Sequence, residues 1–189
     1  PPPSAPPGRQ AVDGGEISAP KLPLRRRLEA PPVRRARPIA PPPPRSAATF
    51  LWPVRGRILI RFGPRAGGLH NDGINIAARA GSPVRAAENG IVAYAGNELE
   101  GFGNLLVIRH AGGWITAYAH MRTLQVRRGD RVRRGQTVAR VGSTGNVTRP
   151  QLHFEIRKGD EAVNPEKLLV LLSHRPVSVA GRGGRPDPG

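Results

Sequence analysis

Cysteine is absent from the chain, which rules out disulfide staples and thiolate metal sites, though it does not by itself fix the compartment. Aromatic residues are scarce, at 4% of the sequence. Acidic residues are few as well: 13 Asp and Glu face 30 Lys and Arg, giving a formal net charge of +17. Such an excess points to a polyanionic partner or surface, whether nucleic acid, anionic lipid or the anionic polymers of a cell envelope. No apolar run approaches the roughly 20 residues that a membrane-spanning helix needs. The chain opens at Pro1 with neither a methionine nor a basic-then-apolar stretch, so it reads as a mature or truncated fragment, and the lack of a leader carries no weight.

The 189 residues that are present suggest one globular domain with extensions. Residues 1–48 consist mainly of proline, arginine and small side chains, including Arg25-Arg26-Arg27 and the run Pro41 to Pro44. With so little large apolar surface this segment cannot offset its chain entropy, so it is expected to be a disordered, semi-extended linker dispensable for folding. Residues 49–172 differ in kind: short segments rich in Val, Ile, Leu and Tyr alternate with glycine-bearing turns. Strands are predicted at 57–62, 73–77, 83–87, 90–95, 105–110, 114–120, 136–141 and 152–157, with one short closing helix over 165–172. Many short strands at this spacing indicate an all-β sandwich or barrel. From residue 173 onward the Gly, Arg and Pro content predicts a flexible tail.

Between Val126 and Gln136 lies a half-repeat, V-R-R-G-D followed by V-R-R-G-Q, which predicts a tight hairpin with Val126 and Val132 inward and the arginines in solvent. This hammerhead-like turn is similar to that of biotinyl and lipoyl carrier domains. The three lysines, Lys21, Lys158 and Lys167, stand in no acceptor setting, so carrier function is not expected. Specific nucleic-acid binding is not expected either, because the arginines lie in linkers and turns without interleaved stacking aromatics.

An ordered series of motifs carries a more specific likeness: Gly73-Ile-Asn-Ile-Ala77, Gly81-Ser-Pro-Val84, Ala86 to Val92, Gly101-Phe-Gly-Asn104, Tyr118-Ala-His120, Gly142-Ser-Thr-Gly145, Leu152-His-Phe-Glu155 and Asn164-Pro165. In this order they resemble the lysostaphin/LytM family of peptidoglycan endopeptidases over essentially the whole globular region. The resemblance implies an all-β fold in which an antiparallel sheet flanks a narrow groove.

Active members of that family hold one zinc through His-x-x-x-Asp and the second histidine of His-x-His, with water in the fourth position. A Tyr-x-His histidine and the first histidine of His-x-His assist the attack of that water. Carried onto this chain, the zinc positions are Asn71, Asn75 and His153, and the assisting positions are His120 and Gln151. Two of three ligands are neutral amides, so the metal positions are vestigial and zinc is expected to be absent. His70 and Asp72 lie one residue away, but strand alternation turns them to the other face unless a bulge or register slip intervenes. His110 and His174 match no ligand position, and the first reads as a strand-end or loop residue and the second as part of the tail.

Degenerate members of this family are murein hydrolase activators, of which DipM-like and EnvC-like septal factors are the types the chain resembles. The resemblance therefore implies an inactive envelope factor, periplasmic and at the division site. Its partners would be peptidoglycan and peptidoglycan hydrolases, amidases foremost, met through a groove of Asn71, Asn75, His120, Gln151 and His153. Two alternatives stand beside it: a zinc endopeptidase using shifted ligands, and a pure peptidoglycan-binding module.

Overall fold

Alternation with period two decides which side chains enter the core. In the computed structural model, which describes residues 38–171, the chain forms fourteen short strands. They are β1 (Phe50–Leu51), β2 (Ile58–Ile60), β3 (Gly63–Pro64), β4 (His70–Asn71), β5 (Ile74–Ala77), β6 (Pro83–Arg85) and β7 (Gly90–Gly96). These are followed by β8 (Asn104–His110), β9 (Trp114–Leu124), β10 (Arg131–Val132), β11 (Thr137–Val141), β12 (Gln151–Lys158), β13 (Glu161–Val163) and β14 (Leu169–Val170). The expectations for Arg25–Arg27, His174 and the C-terminal tail lie outside the described residues.

Ten strands make one antiparallel sheet, in the order β10-β7-β8-β9-β12-β5-β2. From that path β13 pairs with β12, while β11 pairs with both β9 and β6. Inward-facing Ile74, Ile76, Val92, Leu106, Ile108, Tyr118, Leu152, Phe154 and Ile156 are fully buried and form the centre of the core. The eight strands predicted from the sequence are all present, with shifts of a few residues at their ends. The shortest pairings, β3 with β4 and β1 with β14, are too brief to leave a periodic signature.

Two expectations change. The short helix over residues 165–172 does not form. Instead a 3-10 turn, Pro165–Lys167, is capped by the side chain of Asn164, and the chain then enters β14, which pairs in parallel with β1. An eight-residue helix closes too few hydrogen bonds to repay its nucleation, whereas β14 gains a partner strand at once. The half-repeat also folds differently, as two consecutive turns rather than one hairpin. In the first, Asp130 N donates to Arg127 O and the Asp130 carboxylate accepts from Arg127 N at 2.8 Å. In the second, Gln136 N donates to Arg133 O and Gln136 Oε1 accepts from Arg133 N at 2.9 Å. Val126 and Val132 are buried as the repeat requires.

Composition places residues 45–48 in the linker, yet they lie on the domain. The Glu88 carboxylate, 0% exposed, accepts from Ser46 N at 2.8 Å, Ser46 Oγ at 2.7 Å, Ala47 N at 3.2 Å and Arg134 Nη1 at 2.6 Å. The Arg45 guanidinium stacks over Phe50, 4.5 Å from its ring centre. Burial by itself raises the Glu88 pKa, but the surrounding N–H and O–H donors outweigh it and hold the carboxyl below its ordinary value. Nearby, His110 is buried, with Nδ1 2.8 Å from Asn89 O and Nε2 2.8 Å from Thr116 Oγ1, which in turn lies 3.0 Å from the Tyr118 hydroxyl. Burial pushes the His110 pKa down to about 4 and the Tyr118 pKa up to about 12.

Two outcomes follow from these buried groups. A chain starting at Thr49 strips Glu88 of its Ser46 and Ala47 donors, whereas one starting at Pro38 keeps them. In urea unfolding the shorter chain should be less stable by about 1–3 kcal/mol, and equal stability would mean that the docked segment contributes nothing. For His110, the unfolded chain takes up a proton below about pH 6.5 that the folded chain refuses until about pH 4. Stability should thus fall as the pH drops through that window and this contribution should level off below it, with a limiting loss of about 3 kcal/mol. His110→Gln should be less stable at neutral pH but show a shallower slope between those two values.

Candidate functional site

Strand β12 is buried on both of its faces. Leu152, Phe154 and Ile156 fill the core, and the alternate residues Gln151, His153 and Glu155 line the floor of a groove on the other side. Its neighbour β5 contributes Asn75 directly opposite His153, and on the far side of β12 His153 is paired with Ala119 of β9. His120 follows immediately, at a place where the pairing of β9 shifts register against β8, with a second shift against β11 just beyond it. It is the one non-glycine residue with positive φ among those described, at 67°. A bulge of this kind re-aims a side chain at a backbone cost of order 1–3 kcal/mol, which the surrounding bonds sustain. Here those bonds are His120 N to Phe102 O and Nδ1 to Thr144 O, both 2.9 Å.

The glycines of two motifs explain how that wall closes. Gly103 (φ 61°) and Gly145 (φ 76°) face each other so tightly that a Cβ on either would strike the opposing backbone. Thr144 Oγ1 then accepts from Asn104 N at 3.0 Å and donates to Met121 O at 2.9 Å, locking both loops to the end of β9. Phe102, 38% exposed, is carried to the rim with its ring centre 6.3 Å from that of His153. Leu69 and Leu99 are also exposed, the first just ahead of β4 and the second in the loop before Phe102.

All five residues singled out from the sequence meet here. Asn71 Nδ2 donates to the backbone carbonyls of Gly73 at 2.7 Å and Arg61 at 3.0 Å and lies 3.4 Å from Asn75 Oδ1, while Asn75 Nδ2 donates to Gln151 Oε1 at 3.0 Å. His153 Nδ1 faces Asn75 Oδ1 at 3.1 Å, while its Nε2 faces Glu155 Oε1 at 3.0 Å. The rings of His120 and His153 are 6.3 Å apart. Burial, partly opposed by the Thr144 carbonyl and reinforced by His153, lowers the His120 pKa, which favours a neutral ring.

Sequence reasoning missed three contributors to this site: Glu155, Arg157 and Thr144. Glu155 was within reach, because a residue two positions along a strand shares its face. Arg157 bonds Glu155 Oε2 at 3.1 Å and reaches Asp72 Oδ2 at 3.4 Å. Thr144 depends on a loop contact that no strand periodicity reports.

His70 and Asp72 do not enter the groove array. Their side chains, 48% and 47% exposed, pair with each other at 2.8 Å, and the His70 ring packs edge-on against Phe62. The hydrogen bond from His70 comes first among the causes that hold Asp72 below the usual carboxylate range. His110, at the end of β8, belongs to the buried chain under Glu88.

The donor set does not suit zinc. Asn71 and Asn75 bring neutral amide oxygens, and each ring nitrogen of His153 faces an oxygen, Asn75 Oδ1 or Glu155 Oε1, rather than an open position. Among the described residues no three His, Cys, Asp or Glu side chains are grouped so as to hold a metal ion.

Comparison with known proteins agrees with this architecture. Cell division protein DipM of Caulobacter vibrioides is 45% identical over 126 residues, which cover 65% of this chain and 21% of that protein. Murein hydrolase activator NlpD of Escherichia coli is 43% identical over 122 residues, covering 65% of this chain and 31% of NlpD. The chain thus spans less than a third of the length of these two relatives. Among solved structures, the catalytic domain of lysostaphin from Staphylococcus simulans superposes with a TM-score of 0.56 at 30% identity, covering 59% of this chain and 90% of that domain. Residues 69–165, from the approach to β4 through β12 to the closing turn, match the family described as Peptidase family M23, and the chain belongs to that family.

Proposed function

We propose that this domain is a catalytically inactive envelope factor that binds and stimulates peptidoglycan hydrolases, amidases in particular, during division and daughter-cell separation. The observation that carries it is the presence of neutral amides at the positions the family resemblance assigns to zinc ligands. Asn71 is turned to the Gly73 and Arg61 carbonyls, and Asn75 is bonded to Gln151 and faces His153. Hydrolysis of a peptide bond needs an activated water, and neutral amides are poor ligands for a cation that would lower the pKa of one. What the groove does offer is directional hydrogen-bonding groups beside the exposed ring of Phe102, a combination suited to receiving a segment of another protein.

The relatives support the same reading: one is named as a murein hydrolase activator and another as a cell division protein. On this proposal the protein works in the periplasm at the division site, with peptidoglycan as the surface on which partner and activator meet. No helix among the described residues is long and apolar enough to cross a membrane. The arginines at 25–27 would add long-range attraction to anionic wall polymers, screened over about 8 Å at physiological salt. An endopeptidase built on His70 and Asp72 is disfavoured, because those side chains bond to each other and to Arg157 rather than to His153.

The metal-free state is tested by elemental analysis of the purified domain, which should show no stoichiometric zinc. The triple variant Asn71→His, Asn75→Asp, Gln151→His should gain zinc binding. One tight equivalent of zinc in the unaltered domain, lost on His153→Ala, would falsify the reading. Activity need not accompany regained metal, because Glu155 and Thr144 orient the histidines for a different arrangement.

Groove and linker are separated by assaying amidases on purified sacculi. Asn75→Arg or Gln151→Arg, each checked for folding, should abolish stimulation. Neutralising Arg25, Arg26 and Arg27 should weaken it only at low salt. The reverse pattern would make the protein an electrostatic wall-binding module with no partner enzyme.

A further inference from the structure

The domain has a second concavity that shares no residue with the groove. A cavity of about 560 Å³ opens between the chain leaving β1 and the start of β6, lined by Trp52, Pro53, Arg55, Ser82, Arg85 and Leu171 among others. Its volume lies within the roughly 300–1,000 Å³ typical of small-ligand sites. The walls are held by the backbone: Trp52 N donates to Val170 O at 3.1 Å, Arg85 N to Pro53 O at 2.8 Å, and Val141 N to Ser82 O at 2.9 Å. A frame tied at three points costs little further ordering when a ligand enters.

The polar groups around this cavity carry charge of one sign. Arg85 is anchored by one bond, Nη1 to Gly135 O at 2.8 Å, which fixes the guanidinium and leaves its other N–H groups unengaged. Arg55 is exposed and forms no hydrogen bond or ion pair with any described residue. Among the described residues no acidic side chain lines the cavity. Arg85, tethered by that bond, and Arg55 line one cavity and make it a cationic clamp for a carboxylate, which accepts N–H bonds from a guanidinium. The half-buried indole of Trp52, with Pro53 and Leu171, supplies a flat apolar surface next to that clamp. The matching ligand therefore presents a ring or apolar face adjoining a carboxylate.

From this geometry we infer that the Trp52–Arg55–Arg85 cavity binds a carboxylate-bearing muropeptide unit of the wall, with a sugar ring or peptide methyl on the indole and a stem carboxylate held by its arginines. The inference rests on the envelope location proposed above, but not on the groove or on any partner enzyme. It gives the domain a hold on the polymer apart from the surface that would hold the hydrolase.

The test uses the full chain carrying Trp114→Phe, which leaves Trp52 as the sole indole, and needs no hydrolase. Titration with a soluble disaccharide–tetrapeptide should produce a saturable change in Trp52 emission that weakens as salt is raised. A neutral N-acetylglucosamine tetramer should bind at least about tenfold more weakly, and Arg55→Ala and Arg85→Ala should each lower muropeptide affinity by about tenfold. Asn75→Arg, which should silence the groove, should leave this affinity unchanged, so failure of amidase stimulation and failure of this site are read separately. Equal affinity for the neutral sugar, indifference to both arginine substitutions, or the absence of a saturable signal would overturn the inference. So would a tenfold gain in affinity on replacing the apolar tail residues by Val177→Asp and Val179→Asp, since the cavity would then belong to the chain's own C-terminal segment.

Discussion

Everything at the groove depends on the double burial of β12. A strand with core on one face and water on the other may carry any polar residue outward. A strand covered on both faces must find a partner for every polar atom it presents. In metal-binding relatives an ion can meet that demand on the groove side. Here Asn75, Gln151, His153 and Glu155 face one another, and Asn71 turns to the Gly73 and Arg61 carbonyls. On the proposed reading, amides at the family's ligand positions put hydrogen-bonding contacts where a metal would otherwise sit. The floor is polar, and its side chains are held by contacts with one another and with the backbone.

The same constraint explains why the walls are glycine-rich and the floor is not. Gly103 and Gly145 let two loops meet at backbone distance, and their closeness brings Phe102 to the rim and the Thr144 carbonyl to His120. The positive φ of His120 belongs to this arrangement as well. Strain at one residue is sustained by two hydrogen bonds from loops that glycine alone can bring together.

How far the sequence foretold this differs from element to element. The alternation Leu-His-Phe-Glu in β12 and Ile-Asn-Ile in β5 placed His153 and Asn75 on one face, and the structure pairs them directly. Such patterns are legible because burial acts on every second residue of a strand. Pairings of two residues leave no such trace, and so β14 reads as the start of a helix until its partner Phe50–Leu51 is seen. The docking of residues 45–48 is hidden for another reason: composition measures what a segment can bury by itself, and Ser46 is held by a carboxylate 42 positions away. Contacts between single residues far apart in the chain carry no periodicity, and Arg157 with Asp72 is a further case.

The clamp at Glu88 also has a mechanical meaning. A tension applied to the N-terminal side of the chain reaches residues 45–48 before it reaches β1, and is met there by several short bonds converging on one carboxylate that is itself braced by Arg134. The load enters beside the turns at Asn89 and Arg134 instead of peeling Phe50–Leu51 away from β14. Segment and domain are thus joined as a strap is to a fixed buckle, and tension on that side of the chain loads the Glu88 carboxylate before the pairing of β1 with β14.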